Sequence, residues 1–221
     1  MKIKEVKMKE IDVVEKIKSA LAERDLYVMK SFQASRVQLT EHKDPVYYNR
    51  KPDSVSRYAH SKRECGVLYL AISPELAVAE SFQHGQSGPG TPVSVKEIEE
   101  RSLHQVETTR ELKLVDLGRL AAFSGLKPRD LIQAKGQGSE GYILTQTIST
   151  VCMEYSIEID GLIYNSSVYD PASTSAGSNF VLFEERATQV VPVGATPLME
   201  ALLPNGETAI EFLVSLNLIV E

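Results

Sequence analysis

Four kinds of residue in this chain could act together on a small, charged substrate: a glutamate on an apolar helix, two arginines in extended or loop sequence, a tyrosine inside a strand, and a pair of serines at a strand end. The glutamate is Glu80, within "LYLAISPELAVAES", Leu68 to Ser81. Ser73 reads as an N-cap, Pro74 as the first helical residue and Glu75 as a first-turn acid. Leu76, Ala77, Val78, Ala79 and Phe82 then leave the helix apolar nearly all round, so it is expected to be buried. A carboxylate on such a helix is costly unless something pairs with it or uses it. The plainer readings of Glu80 are a solvated position or a structural ion pair with an arginine.

Arg36 ("ASRVQ") and Arg57 ("VSRYA") could be surface cations taken singly. Together with Glu80 they could clamp phosphates, which the planar guanidinium fork suits. Tyr69 is either a core tyrosine with a satisfied hydroxyl or a site residue. Ser166 and Ser167 end the strand "GLIY", where serines cap turns or contact ligands. Two other motifs are set aside. "GQGSEG" (136–141) matches GxGxxG, with Asp160 at the spacing of a ribose-binding acid, but "PRDLIQAK" before it reads as helix rather than strand. Cys152 lies on an apolar helical stripe with no histidine nearby in sequence, and reads as a buried structural thiol.

These residues need a scaffold to bring them together. Gly66 to Ile72 is apolar on both faces and is expected to be a central strand. Ile11 to Arg24 reads as a helix, with Ile11, Val14, Ile17 and Leu21 on one stripe. Leu26 to Leu39 reads as extended chain, and residues 40 to 65 as a long polar loop of the kind that often carries function. "GQSGPGTP" (85–92) is a break. "ELKLVDL" (111–117) is a strand, Pro128 to Lys135 a short helix, and Tyr142 to Tyr155 an amphipathic helix with Ile143, Leu144, Ile148, Val151, Cys152 and Tyr155 on or near one stripe. "DGLIYNSS" and "NFVLFEE" are strands joined by a Ser/Gly/Pro-rich loop. "QVVPV" is an edge strand because of Pro192, and Glu207 to Ser215 is a helix. Strands and helices mix without regular βαβ alternation, so the fold class is α+β.

The bulk numbers narrow the function. The 221 residues carry a net charge of −6, with a pI near 5.4, which argues against nucleic acid or an anionic membrane as the main partner. Two cysteines and four scattered histidines form no metal-like pattern. No signal-peptide-like or transmembrane-length apolar run appears. The expectation is a cytoplasmic protein with reduced thiols.

In order and spacing, these segments resemble the RES domain family, named for its Arg, Glu and Ser and known mostly as toxins of bacterial toxin–antitoxin pairs. "SRVQ" puts Arg36 in the place of the first family arginine, and "SVSRYA" puts Arg57 in that of the second. "GVLYLAISPELAVAES" resembles the strand-to-helix signature, with Tyr69 and Glu80 in matching positions. "DGLIYNSSVYDPASTSAGSNFVLFE" resembles the late segment, with Ser166 in the serine's place (Ser167 in the alternative register) and Asn179 as the matching asparagine. The usual Gly-rich, Trp-containing loop around the second arginine is absent, and the chain has no tryptophan.

The resemblance implies one RES-like domain over 1–221. Its core would span about 30–190, with a helical extension over 1–30 and a C-terminal extension over 190–221. It also implies an ADP-ribosyltransferase-like fold with a mixed or antiparallel sheet, and NAD⁺ as a substrate consumed without a metal. The reaction would be hydrolysis, phosphorolysis or ADP-ribosyl transfer to a protein; a non-catalytic NAD- or partner-binding module is the contrasting reading. Glu80, Arg36 and Ser166 would be catalytic, and Arg36, Arg57, Tyr69, Ser166, Ser167 and Asn179 would bind NAD⁺. The implied partner is an antitoxin of the Xre type, as a hetero-oligomer, with a homodimer as the alternative assembly.

Overall fold

The strand and helix around Glu80 form as the capping pattern dictates. The computed structural model describes residues 2–52, 56–83, 92–127, 142–169 and 177–221, with side chains from Asp12 onward. Its strands are β1 (Tyr27–Lys30), β2 (Gln33–Leu39), β3 (Val67–Ala71), β4 (Arg101–Thr108), β5 (Leu112–Asp116), β6 (Gly161–Asn165), β7 (Ser178–Phe183) and β8 (Val190–Pro197). Its helices are α1 (Lys2–Leu21), α2 (Pro74–Gln83), α3 (Val95–Glu99), α4 (Leu117–Ser124), α5 (Ile143–Tyr155) and α6 (Ala209–Ser215). At the start of α2, the Leu76 N–H donates to Ser73 Oγ at 3.2 Å and the Ala77 N–H to the Ser73 carbonyl at 3.0 Å. The first satisfies one of the donors that a helix start leaves orphaned, and the second is the first bond of the helix ladder.

The described strands make one sheet of eight, ordered β1-β5-β6-β7-β3-β2-β4-β8. β3 lies inside it, between β7 and β2, as its apolar faces require: Val67, Leu68, Leu70 and Ala71 are all buried. β8 forms an edge, in keeping with Pro192. The ladders are antiparallel except β5–β6, which pair in parallel with Leu114 opposite Gly161. Parallel neighbours need a crossover, and α4 and α5 lie in the connection between these two strands. The result is an α+β fold with a mixed sheet and flanking helices.

Helices and sheet share apolar clusters. Ile17, Ala20 and Leu21 of α1 pack with Leu117 and Leu120 of α4 and with Ile148 and Cys152 of α5. Leu76, Val78 and Phe82 of α2 pack with Phe212 and Leu213 of α6. The helix that carries Glu80 is thus held from behind by the C-terminal helix. Cys152 is fully buried, and burial pushes its thiol up to about 12, so the thiolate a nucleophile needs is strongly disfavoured. Among the described residues, no helix is long and apolar enough to cross a membrane.

Several elements differ from the sequence expectation. α1 begins at Lys2, well before Ile11. β4, α3 and α4 have no counterpart in the sequence reading. β4 buries Ser102 and His104 beside Leu103 and Val106, and these buried polar residues erase the apolar alternation that marks a strand. Ile143 and Tyr155, expected on the packed stripe of α5, are exposed at its two ends. "GQGSEG" and the short helix expected over Pro128 to Lys135 lie outside the described residues.

At Gly161, β6 comes close to the backbone of β7. A Cβ there would meet the Val181 carbonyl oxygen, 3.0 Å from its carbon and 3.1 Å from Leu182 Cα. These atoms are backbone in mid-sheet and cannot swing aside. Gly161→Ala is therefore expected to destabilise the fold by about 2 kcal/mol, read from the denaturation midpoint at unchanged m-value. An unchanged midpoint would mean that the strands separate at no cost.

Candidate active site

A cavity of about 440 Å³ opens where β2, β3, β6 and β7 meet α2. Arg36, Arg57, Tyr69, Glu80 and Asn179, five residues drawn from distant parts of the sequence, line it together.

Glu80 projects from the second half of α2, where Ser166 and Asn179 both donate to it. Ser166 Oγ donates to its Oε1 at 2.7 Å, and Asn179 Nδ2 donates to the same oxygen at 2.5 Å. The direction of the serine bond follows from its surroundings. Ser166 Oγ accepts the Val168 and Tyr169 N–H groups at 3.1 and 3.2 Å, so both lone pairs are taken and its proton is left for the carboxylate. Asn179 is placed by the sheet, opposite Tyr164 on β6 and Ala71 on β3.

The turn also separates the two serines. Ser166 meets Glu80 from behind the cavity wall, whereas Ser167 is exposed and lies outside the lining. Ser166→Ala is expected to loosen Glu80 and so to lower about tenfold any activity that uses its carboxylate, the scale of one charge-assisted hydrogen bond. Ser167→Ala should leave the rate within about twofold, since exposed positions away from such features tolerate change. Steady-state rates of both variants check the assignment, and a reversed order would sink it.

The arginines are braced differently. Arg36 Nη1 donates to the Pro45 and Tyr47 carbonyls at 3.0 and 3.4 Å, which ties β2 to the long loop. Burial lowers the guanidinium pKa, while Asp44 and Tyr47 push it back up. Arginine's ordinary value is high enough that it stays a cation. Opposite it on β4, buried His104 has its pKa lowered by burial and then by the charges of Arg36 and Lys43, despite Asp44. A neutral imidazole beneath Arg36 leaves that cation unopposed by a second one.

Arg57 lies with its guanidinium carbon 5.9 Å from the centre of the Tyr142 ring. Its loop is held by polar side chains of α5. Gln146 Nε2 donates to the Ser56 carbonyl at 2.9 Å, Thr145 Oγ1 to that of Arg57 at 2.7 Å, and Ser149 Oγ to that of Tyr58 at 2.6 Å. The Ser61 N–H donates to Thr150 Oγ1 at 2.8 Å. Tyr69 completes the clamp: its hydroxyl accepts the Tyr58 N–H at 2.8 Å and lies 2.7 Å from Ser56 Oγ. Burial, above all, raises the Tyr69 pKa, so the group stays a phenol. The sequence reading took the apolar stripe of α5 and missed this polar face. Thr145, Gln146, Ser149 and Thr150, a polar run amid apolar residues, were the available signal.

One group of side chains has the composition of a metal site. His60 Nε2 lies 3.5 Å from Glu154 Oε1 and 4.0 Å from Glu64 Oε2. His60 Nδ1, however, accepts the Lys62 and Glu64 N–H groups, which puts the ring proton on Nε2. The ring faces the carboxylates as a donor and offers no lone pair to a cation.

A model of the RES domain matches residues 33–200. No curated protein matches the chain. Among solved structures, a chain of the M. tuberculosis MbcT–MbcA toxin–antitoxin complex superposes with a TM-score of 0.60 at 15% identity. That superposition covers 91% of this chain and 94% of the other, a likeness of fold. With the family model spanning most of the sequence, the chain belongs to the RES domain family.

Proposed function

We propose that this protein is a toxin that cleaves the nicotinamide–ribose bond of NAD⁺. One observation carries the reading: the Glu80 carboxylate, fixed by Ser166 and Asn179, lines a cavity that Arg36 and Arg57 also line. Nicotinamide leaves as a neutral base, so the ribose carbon it departs from develops positive charge. A carboxylate already oriented at that carbon stabilises the transition state more than the ground state. Two guanidinium groups suit the pyrophosphate that anchors the rest of the molecule. Water adding to the ribose carbon gives ADP-ribose and a proton; phosphate adding there gives the ADP-ribose phosphate ester. Tyr69, through its hold on residues 56–58, supports Arg57 in this scheme. The proposed partner is an antitoxin of the Xre type that covers the cavity, in line with the toxin–antitoxin complex whose chain shares the fold.

The test is nicotinamide release from NAD⁺ by the purified protein, with and without phosphate. Release in plain buffer is expected, and acceleration by phosphate would identify phosphorolysis. If no nicotinamide appears in either buffer while labelled NAD⁺ marks one protein band in a lysate, cleavage to water or phosphate is excluded and transfer to a protein takes its place.

A further inference from the structure

Three tyrosines line the cavity, Tyr69, Tyr142 and Tyr164; the Tyr142 ring faces the Arg57 guanidinium, and the hydroxyls of the other two are in opposite situations. The Tyr69 hydroxyl is committed to Tyr58 N–H and Ser56 Oγ. The Tyr164 hydroxyl makes no hydrogen bond among the described residues, although Tyr164 lines the cavity. It is not sealed into the core either: among the described residues, the buried side-chain nitrogen or oxygen without a partner is Arg101 Nε. The ring is held against Tyr58 at a centroid distance of 5.0 Å, so the side chain is fixed while its polar end is unspent. Such a hydroxyl at a cavity wall is a donor awaiting a ligand oxygen.

Its location says which part of the ligand. Tyr164 is two residues before Ser166, and side chains two apart point to one face of a strand. Across the sheet it is paired with Asn179. Ser166 and Asn179 both donate to Glu80. Tyr164 thus belongs to the same wall as the carboxylate. Burial, then the neighbouring Tyr58, Tyr69 and Glu80, raise its pKa well above the ordinary tyrosine value, which keeps the proton on it.

We propose that Tyr164 is a substrate-binding residue, donating its hydroxyl hydrogen to an oxygen of the ribose whose bond breaks. The assignment rests on the NAD⁺ reading and moves the tyrosine contact with the ligand from Tyr69 to Tyr164, leaving Tyr69 to hold the Arg57 loop.

Tyr164→Phe keeps the ring and removes only the oxygen. It is expected to lower kcat/KM for NAD⁺ about tenfold, and to weaken ADP-ribose binding by a similar factor in calorimetry, at an unchanged melting temperature. Tyr69→Phe, which strands the Tyr58 N–H, is expected to lower the melting temperature. Wild-type turnover with a Tyr164→Phe kcat/KM within twofold of it would overturn the tyrosine assignment alone. A melting temperature that falls for Tyr164→Phe and holds for Tyr69→Phe would reverse the division between them. Absence of nicotinamide release and of ADP-ribose binding in the wild type would remove the NAD⁺ reading and this assignment together.

Discussion

Glu80→Gln is expected to cut nicotinamide release from NAD⁺ by about a hundred- to a thousandfold, the usual cost of removing one preorganised electrostatic group. The substitution keeps the length and shape of the side chain. An amide oxygen can still accept from Ser166 and Asn179, so the geometry that fixes position 80 survives. What is lost, on the proposed cleavage, is the negative charge facing a ribose that turns cationic, in a partly buried setting where water screens little. Because that charge counts mainly in the transition state, kcat should fall far more than KM changes. The apolar side of α2 is untouched, and the melting temperature should hold within about 2 °C, the shift expected below about 1 kcal/mol in a domain of this size. Rates within threefold of wild type would dismiss Glu80 as the charge-stabilising group, whatever reaction the enzyme performs.

The second large effect concerns stability. Asp160→Ala is expected to destabilise the fold by about 3 kcal/mol, the lower end for removing one partner of a buried ion pair, since Arg110 is itself partly exposed. Asp160 is 2% exposed. Its Oδ2 accepts Arg110 Nη1 at 2.8 Å and the Lys113 N–H at 2.9 Å, while Arg110 Nη2 and Gln189 Nε2 meet Oδ1. Its backbone N–H donates to the Lys113 carbonyl, and its carbonyl accepts the Phe183 N–H, so one residue ties together the starts of β5 and β6 and the end of β7. Burial alone would raise its pKa; the hydrogen bonds from Arg110, Lys113 and Gln189, with the arginine's charge, outweigh this and hold it below the ordinary 3.8. The folded-state pKa is therefore the lower one. Its contribution is fully present above about pH 4 and fades as pH falls through the folded value. Chemical denaturation across pH 2 to 7 should show Asp160→Asn less stable at neutrality but with a shallower acid decline than wild type. Parallel curves would mean that the pair does not titrate with folding.

The sequence spoke clearly where local chemistry decides structure. Ser73 and Pro74 set the start of α2, and the apolar faces of residues 67–71 placed β3 inside the sheet. It was silent where contacts are long-range and polar. The carbonyls of Ser56, Arg57 and Tyr58 are held by Gln146, Thr145 and Ser149, about ninety residues on, and such pairs leave no periodic trace. β4 escaped for a related reason, since its buried His104 and Ser102 look like surface residues in one dimension. Asp160 is a further case. Set aside as a ribose ligand despite its spacing from "GQGSEG", it carries a buried ion pair that no sequence signal marked, its side chain spent inside the sheet on Arg110, outside the cavity lining. The choice between Ser166 and Ser167 was open in the sequence because both follow the strand. Two backbone N–H groups folding back on one hydroxyl set Ser166, rather than Ser167, against Glu80.

Cys65 and Cys152 are both buried thiols with raised pKa values. To a maleimide reagent at neutral pH the native chain is therefore nearly inert, and it offers a ready background for site-directed labelling. Ser167→Cys would place one reactive thiol beside the Ser166–Glu80 contact without using either residue. A fluorophore there would report, in real time, whether the proposed antitoxin closes over the cavity.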